Sequence, residues 1–316
     1  MKQLLEVLHN EFIELKVCPQ VGASIFSLRY CLNGQWVDIM RPTPYQAVEN
    51  KDAGKFASFN MIPYSNRIEN AVLKFRGKVY NLRKNTAEGH AIHGDVRFRP
   101  WKVFYKSAER IVMGFDSRDF DDMSWPFPFY AEIEYALTGA KLTVRLMLKN
   151  TGTEEMPGGM GIHPYFMRKL TPRDDAVFLQ MPAKGVYPGD TPIPTGKWTE
   201  IPNELDFSKG RQLGFEHIDK CYRALHAPVI IKWLGSDVVL TMEADEIFKH
   251  VILYSPKDNP GFFAVEPVTN CNNGFNMAEE GIDDTGTVYL QPGDAMAGNI
   301  TIRLFRGSNN GFQRGC

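Results

Sequence analysis

A chain of 316 residues is long enough to bury a substantial hydrophobic core without disulfides or metals to stabilise it. Lys and Arg number 36 and Asp and Glu 37, for a formal net charge of −1, and no long block of one sign occurs. This balance argues against nucleic acid or an anionic membrane surface as the main partner.

The N-terminal segment, MKQLLEVLHNEFIELKV, interleaves polar and apolar residues and lacks the continuous apolar stretch of a signal peptide. No apolar run approaches the roughly 20 residues of a membrane helix, so we expect no membrane partner. The five cysteines are an odd number without a CxxC pair, which favours free thiols in a reducing compartment over a disulfide framework. We expect a soluble, cytoplasmic protein.

Strand-like alternation dominates the chain from its first predicted element, EFIELKV at residues 11–17. One or two helical turns are predicted within YQAVENKDAGKF, residues 45–56. The clearest hairpin is YAEIEYALTGAKLTVRLMLKN, residues 130–150, in which apolar residues alternate on both sides of a Thr-Gly-Ala turn. Later strands are predicted at VIIKWL (229–234), VVLTM (238–242), HVILYS (250–255), FFAVE (262–266) and ITIRLF (300–305).

Many short strands, punctuated by turn residues, with few and short helices, indicate an all-β sandwich or barrel. The sequence has no linker, internal repeat or low-complexity tract, and such folds often exceed 200 residues as one domain. We therefore predict that residues 1–316 form a single β domain.

The motifs of several common enzyme classes are missing: GxGxxG after a strand, a Walker A loop, HExxH and GxSxG. Their absence argues against cofactor-driven redox chemistry, phosphoryl transfer and serine hydrolysis. We expect the protein to use neither a cofactor nor a metal ion.

Two histidines lie in conformationally restricted segments. His163, in PGGMGIHPYF, follows glycines that let the backbone approach a ligand, and Pro164 biases it toward an extended conformation. His93 lies in HAIHGDV before Gly94, whereas His90 lacks such a setting and is interpreted as a surface residue. Histidine titrates near neutral pH and suits acid–base chemistry, with a structural role as the alternative.

Three charged residues near predicted strand ends are further candidates. Glu266 precedes Pro267 and is either exposed at a sheet end or held in a cleft, where partial burial raises the pKa of a carboxyl group. Asp219, in FEHIDKCY, is either a turn residue or a ligand-binding residue. Arg67, after PYSN, either pairs with an acid such as Glu69 or holds a polar ligand.

Aromatic residues cluster in MSWPFPFY, residues 123–130, which includes Trp125. Most of these rings are expected in the core, and an exposed ring would suit the apolar face of a pyranose. A histidine and a glutamate on opposite sides of a polyhydroxylated ligand form a general acid–base pair without metal or cofactor. Such a pair is suited to opening a sugar ring.

Six stretches follow one another in the order NMIPYSNRIENAVLKFRGKVYNL, HAIHG with Pro100-Trp101, WPFPF, GGMGIHPYF, DKCY after Ile218, and AVEPVT. In this order, from about residue 60 to residue 266, they resemble the aldose 1-epimerases, also called galactose mutarotases. Each motif is short, and their ordered combination carries the resemblance. It implies a large antiparallel β-sandwich of the galactose mutarotase type, with few short helices and the sugar site in an open cleft.

The resemblance also implies catalytic roles. Glu266 would be the general base that takes the proton from the anomeric hydroxyl, and His163 the general acid that protonates the ring oxygen. His93 would assist as charge develops near the ring oxygen or the C1 hydroxyl.

The resemblance implies sugar-binding roles as well. Arg67 and Asp219 would orient the substrate, a small-molecule aldose, through its hydroxyls. Asn66 and Trp125 complete the predicted substrate-binding set. The chain is expected to act as a monomer or homodimer.

Two departures leave the preferred sugar open: GIHPYF where many galactose mutarotases have Asn-His-Ser-Tyr-Phe, and HGD in place of His-Gly-Gly. The favoured function is aldose 1-epimerase acting on a free hexose. A competing hypothesis is a hexose-6-phosphate 1-epimerase, with Arg97 and Arg99, interpreted as exposed on a strand, as phosphate ligands.

Two further hypotheses belong to different functional classes. The first is a non-catalytic carbohydrate-binding sandwich, since a fold can outlast its chemistry. The second is a metal-dependent enzyme of the cupin kind, with His93, His163 and Glu266 as ligands, which the absence of an HxH pair disfavours.

Overall fold

The computed structural model describes residues 4–174, 176–224, 226–258 and 260–307, and within them it forms 25 β-strands and two short α-helices. The prediction of an all-β fold with few helices is confirmed. The helices are α1 Gln46–Glu49 and α2 Gly274–Glu279. The strands are β1 Glu6–His9, β2 Ile13–Cys18, β3 Ser24–Leu32, β4 Gln35–Asp38, β5 Ser58–Met61, β6 Arg67–Ile68, β7 Val72–Phe75, β8 Lys78–Asn81, β9 Ala91–Ile92, β10 Lys102–Lys106, β11 Arg110–Asp116, β12 Phe129–Thr138, β13 Lys141–Asn150, β14 Met156–Gly158, β15 Gly161–Met167, β16 Val177–Gln180, β17 Ala183–Val186, β18 Arg211–Gln212, β19 Ile218–Ala224, β20 Val229–Trp233, β21 Val238–Ala244, β22 His250–Ser255, β23 Phe262–Val268, β24 Val288–Leu290 and β25 Ala295–Arg306.

Two large antiparallel sheets carry the fold across the described residues. The first sheet has ten strands in the order β1-β2-β3-β5-β15-β23-β22-β19-β17, with β4 paired to β3. The second sheet has nine strands in the order β10-β11-β12-β13-β25-β21-β20-β16-β18. Short two-stranded ribbons join β6 to β9, β7 to β8 and β14 to β24.

The predicted hairpin is confirmed as β12 and β13, which pair continuously from Phe129 opposite Asn150 to Thr138 opposite Lys141. Buried and partly exposed residues alternate along both strands, as expected for a sheet with one face on the core. Gly139 has a φ of 55° and supplies the left-handed conformation of the turn.

One face of the first sheet packs against the second sheet. Ile162 on β15 and Val265 on β23 belong to the same hydrophobic cluster as Ile133 and Leu146 of the hairpin. Side chains alternate along a strand, so neighbouring residues such as Tyr165 point to the opposite face, which carries a separate cluster. The first sheet therefore has a core face and a second face that is free to build a site.

The other predicted strands overlap β2, β20, β21, β22, β23 and β25, and HVILYS coincides with β22. The helical turns predicted at residues 45–56 occur as α1 and a 3₁₀ turn at Ala53–Lys55. Helix α2 was not predicted, because its six residues are too few to show a helical period. No helix in the described ranges is long and apolar enough to cross a membrane.

The cysteines differ in their chemical state. Cys18, Cys221 and Cys271 are free and buried, as the sequence favoured. Cys31 is disulfide-bonded, which the odd number and scattered positions did not predict.

Tyr135 links the two sheets through polar contacts inside the core. Its hydroxyl donates to the Ala23 carbonyl at 2.8 Å and accepts a hydrogen bond from Asn60 Nδ2 at 3.2 Å. Tyr135 lies on β12 and Asn60 on β5, and both are buried. The buried carbonyl and amide would lose a partner without this hydroxyl.

Tyr135→Phe is therefore expected to lower the free energy of unfolding by about 1–2 kcal/mol, measured by urea denaturation. Tyr105→Phe is the matched control, because the Tyr105 side chain is 48% exposed and its hydroxyl stays accessible to water. Equal changes in the two variants would contradict the role of the Tyr135 hydroxyl.

Candidate active site

The register of β15 against β23 brings His163 and Glu266 together. Gly161 lies opposite Val268 in this antiparallel pair, so two residues further along His163 lies opposite Glu266. Residues directly opposite each other point to the same face of a sheet. His163 Nε2 lies 3.0 Å from Glu266 Oε1.

The same row of side chains continues across the neighbouring strands. Phe59 on β5 lies opposite His163, and Ile252 on β22 lies opposite Glu266. Asp219 on β19 points to the same face, one row further along the strands. Asp219 therefore lies within a strand, whereas a turn was its alternative interpretation from the sequence.

Arg67 reaches this face from the ribbon formed by β6 and β9. Its Nη2 lies 3.4 Å from Asp219 Oδ2, and both side chains are mostly buried. The sequence offered Glu69 as a neighbouring acid for Arg67. The structure instead pairs it with an acid more than 150 residues away.

His93 follows β9 and is fixed by reciprocal hydrogen bonds with Asn66. The Asn66 backbone N–H donates to His93 Nδ1 at 3.1 Å, and the His93 backbone N–H donates to the Asn66 carbonyl at 3.0 Å. Both residues have a positive φ, 59° for Asn66 and 65° for His93. A Cβ at Gly94 would overlap the Ile62 carbonyl, so only glycine fits after His93.

These elements enclose a cavity of about 220 Å³ on the second face of the first sheet. Its wall contains six of the seven residues that the sequence predicted for the site. They are Asn66, Arg67, His93, His163, Asp219 and Glu266.

Trp125 is the predicted residue that the structure places elsewhere. It is 4% exposed and packs against Tyr64 and Phe275, at ring distances of 5.4 and 5.8 Å. It does not contribute to the cavity wall, so this placement does not support a contact between Trp125 and the sugar. Phe59, Tyr165 and Tyr254 supply the phenyl and phenol rings that border the cavity.

Burial shifts the pKa values of His163 and Glu266 in opposite directions. It raises the pKa of Glu266 well above its ordinary value, and the negative charge of Asp219 adds to this rise. It lowers the pKa of His163 well below its ordinary value, and Arg41 and Arg97 lower it further. Glu266 is thereby made a stronger base and the His163 imidazolium a stronger acid.

The buried pair also presents polar atoms that the protein leaves unpaired. Neither Glu266 Oε2 nor His163 Nδ1 has a hydrogen-bond partner among the described residues. Buried polar atoms without partners are rare in folded proteins, and here they belong to two residues that line the cavity. No group of three or more His, Cys, Asp or Glu residues in the described ranges is arranged to hold a metal ion.

A cluster of asparagines that sequence reasoning missed holds the loop before β6 in place. Asn270 accepts from the Ser65 hydroxyl at 3.0 Å, Asn272 Oδ1 accepts from the Arg67 N–H at 3.2 Å, and the Asn273 N–H donates to the Arg67 carbonyl. The available signal was the density of asparagine in residues 270–276, NCNNGFN. Asparagine side chains often replace missing backbone partners in irregular segments.

Glu266→Gln is expected to raise the free energy of unfolding over that of the wild type, by an amount that grows with pH. Because burial raises the pKa of Glu266, the fold favours its protonated form. The stability that this preference contributes is fully present below the ordinary pKa of 4.5 and is lost as the pH rises through the raised value. Glutamine stays neutral throughout.

Urea denaturation of both proteins between about pH 5 and about pH 9 measures this difference. Glu243→Gln on β21 is the control, because Glu243 is exposed and its replacement leaves no buried charge to remove. A difference between Glu266→Gln and wild type that does not change with pH would contradict the buried, pKa-shifted carboxyl group.

Comparison with known proteins identifies the family and the fold. Residues 7–303 match the family model of the aldose 1-epimerases. The chain is 28% identical to Escherichia coli YihR over 230 residues, which cover 71% of this chain and 72% of YihR. It is 23% identical to E. coli YphB over 284 residues, which cover 86% of this chain and 92% of YphB. The crystal structure of a galactose mutarotase-like protein from Clostridium acetobutylicum aligns with a TM-score of 0.84 at 18% identity, covering 95% of this chain and 94% of that one. The fold is thus that of the galactose mutarotases, and the chain belongs to the aldose 1-epimerase family.

Proposed function

We propose that the protein is an aldose 1-epimerase that interconverts the α and β anomers of a hexose by opening and reclosing the pyranose ring. The observation that carries this proposal is the His163 and Glu266 pair, a buried pair 3.0 Å apart at the wall of the cavity. Membership of the aldose 1-epimerase family supports the same reaction class.

The spacing of the pair matches the two oxygens that exchange protons in this reaction. The anomeric hydroxyl oxygen and the ring oxygen are both bonded to C1, so the base and the acid must lie close together. From the sequence, the two side chains were expected on opposite sides of the ligand. Their position side by side on one sheet suits two oxygens of one carbon better.

In the proposed reaction, Glu266 removes the proton from the C1 hydroxyl while His163 donates a proton to the ring oxygen. The C1–O5 bond breaks as the C1 carbonyl forms, and the open aldehyde rotates about C1–C2. Reclosure with the roles reversed returns both protons and gives the other anomer. No cofactor, oxidant or net proton is required.

The remaining residues of the cavity wall suit binding and orientation. His93 Nδ1 accepts the Asn66 N–H, so the neutral ring carries its proton on Nε2, where it can donate to a sugar oxygen. Burial lowers the pKa of His93 and favours this neutral form. The Arg67 and Asp219 pair offers both donors and an acceptor to vicinal hydroxyls.

A purely binding sandwich is the weaker candidate. A site that only binds a sugar gains nothing from a buried carboxyl group and imidazole whose pKa values are shifted in opposite directions. If the purified protein bound hexoses but left the anomerisation rate at that of the buffer, the binding-only function would replace the one proposed.

Glu266→Gln is expected to lower kcat by about 10²-fold or more with little change in KM, because it removes the proton acceptor and keeps its shape. Arg67→Ala is expected to raise KM by about tenfold, because it removes donors that orient the sugar. Polarimetry of a freshly dissolved α-hexose measures both, with Glu243→Gln as the control. Small and equal effects of the two site variants would overturn the assignment.

The proposal also predicts a bell-shaped dependence of kcat/KM on pH. The reaction needs one proton shared by the pair, and it stops when the pair holds two protons or none. Because the pKa of His163 is lowered and that of Glu266 is raised, the acid limb is expected below the ordinary histidine pKa of 6.5 and the basic limb above the ordinary glutamate pKa of 4.5. Polarimetry in weakly catalytic buffers, corrected for the buffer rate, measures this profile, and a flat one contradicts it.

A further inference from the structure

The Tyr165 ring lies between the His163 imidazole and the Arg41 guanidinium. Tyr165 is two residues from His163 on β15, so both side chains point to the same face of the first sheet. The two ring centres are 4.3 Å apart and the rings are stacked. Arg41 Cζ lies 3.5 Å from the centre of the Tyr165 ring. Two groups this close to one ring centre would overlap if they shared a face, so Arg41 and His163 occupy opposite faces of Tyr165.

Backbone groups hold this stack in place. The Arg41 guanidinium donates to the carbonyls of Gly54 and Phe56, with Nε 3.0 Å from the Phe56 oxygen. The Arg41 backbone N–H donates to the Tyr165 carbonyl at 2.9 Å. Tyr165 and His163 are both more than nine-tenths buried. The orientation of the guanidinium over the Tyr165 ring is therefore fixed by the fold.

Two arginines that the sequence placed on an exposed strand lie elsewhere in the structure. Arg97 is buried in a 3₁₀ turn and belongs to the cavity wall, and its Nε has no partner among the described residues. Arg97 Cζ lies 5.1 Å from the centre of the Phe59 ring, which is itself 4.7 Å from the His163 ring centre. Arg99 lies outside the wall and forms an ion pair with Asp122 at 2.7 Å. Arg97 is thus a second cation near the imidazole.

The ionisable groups around His163 belong to several elements of the fold. They are Arg41, Tyr165, Glu266, His93 and Arg97, with Arg67, Asp219 and Tyr254 in the remainder of the cavity wall. Arg97 and Arg67 line the cavity, where a bound sugar reaches them. Arg41 is not part of the wall and lies behind Tyr165. Its charge therefore stays beside His163 whether or not a sugar is bound.

Protonation of the ring oxygen is the step on which this charge acts. A pyranose ring oxygen is a weak base, so its proton donor must release the proton readily. Burial lowers the pKa of His163, and Arg41 lowers it more than any other charged group does. The pKa of Glu266 is shifted by burial, Asp219 and Arg67 instead. The charge of Arg41 therefore acts on the proton donor much more than on the proton acceptor.

We propose that Arg41 is a positioning residue for the ring-opening reaction and acts from outside the cavity through the Tyr165 ring. The stack holds the His163 imidazole beside Glu266, and the positive charge behind it favours transfer of the His163 proton to the ring oxygen. This inference rests on the proposed function and adds to it a residue that lies outside the sugar-binding wall. Arg41 was not among the residues that the sequence predicted for the site.

Arg41→Met and Arg41→Lys separate the charge from the packing. Methionine keeps an unbranched side chain over Tyr165 and removes the charge, whereas lysine keeps the charge. Arg41→Met is expected to move the acid limb of the kcat/KM profile to higher pH by about one pH unit, because the imidazolium becomes a weaker acid. It is also expected to lower kcat about tenfold with little change in KM. Arg41→Lys is expected to keep the acid limb of the wild type.

Polarimetry in weakly catalytic buffers measures these profiles on the full-length protein. Arg110→Met is the matched control, because Arg110 is exposed on the second sheet with its Cζ 5.1 Å from the Tyr105 ring centre. It is expected to match the wild type. An acid limb that stays in place in Arg41→Met, or that moves equally in Arg41→Met and Arg41→Lys, would overturn the proposal.

An NMR titration without sugar makes the test independent of turnover. The imidazole resonance of His163 is identified by its loss in His163→Gln, and its midpoint in the wild type is compared with that in Arg41→Met. A higher midpoint in Arg41→Met supports the action of Arg41 on His163, and a wild type without turnover would then overturn the ring-opening function alone. Turnover by the wild type, with an unchanged midpoint and acid limb in Arg41→Met, overturns the role of Arg41 and leaves that function in place.

Two variants of Tyr165 decide if Arg41→Met does not fold. Tyr165→Phe keeps the ring between Arg41 and His163, and the hydroxyl that it removes lies 3.4 Å from His163 Nε2, too far for a strong hydrogen bond. It is expected to retain kcat within about threefold of the wild type. Tyr165→Leu removes the stacked ring and is expected to lower kcat about tenfold. Equal kcat values in these two variants would overturn the proposal.

Discussion

The site depends on the pairing register between β15 and β23. A shift of one residue would turn His163 or Glu266 toward the opposite face and separate the pair. The register is held by the core face of the same strands, where Ile162 and Val265 are buried against the second sheet. Hydrophobic burial on one side of the sheet thus determines the position of His163 and Glu266 on the other.

The site is built at the expense of stability. Its walls bury a carboxyl group, two imidazoles and an unpaired guanidinium, each of which would be better solvated in water. Burial lowers the pKa of Arg97 to about 10, because the interior disfavours its charged form. The long antiparallel pairings of the two sheets, continuous over ten residues in the β12 and β13 hairpin, offset this cost.

Local sequence patterns predicted the longer strands such as β12, β13 and β25, and six of the seven residues predicted for the site line one cavity. Alternation indicates which face of a strand is buried, and Gly94 after His93 has a positive φ at a position where a Cβ would overlap the Ile62 carbonyl. Contacts between residues far apart in the chain could not be predicted from the sequence. The partner of Arg67, the inward orientation of Arg97 and the core position of Trp125 depend on segments that meet only in the folded chain.

The asparagine cluster has a consequence for biosynthesis. The loop that carries Asn66 and Arg67 is held by residues 270–273, and β15 is completed on one side by β23. A ribosome adds about 5–20 residues per second, so an emerging chain spends many seconds with the first half of the cleft and none of the second. A nascent chain of this protein therefore cannot complete the cleft until residues 270–273 have been translated.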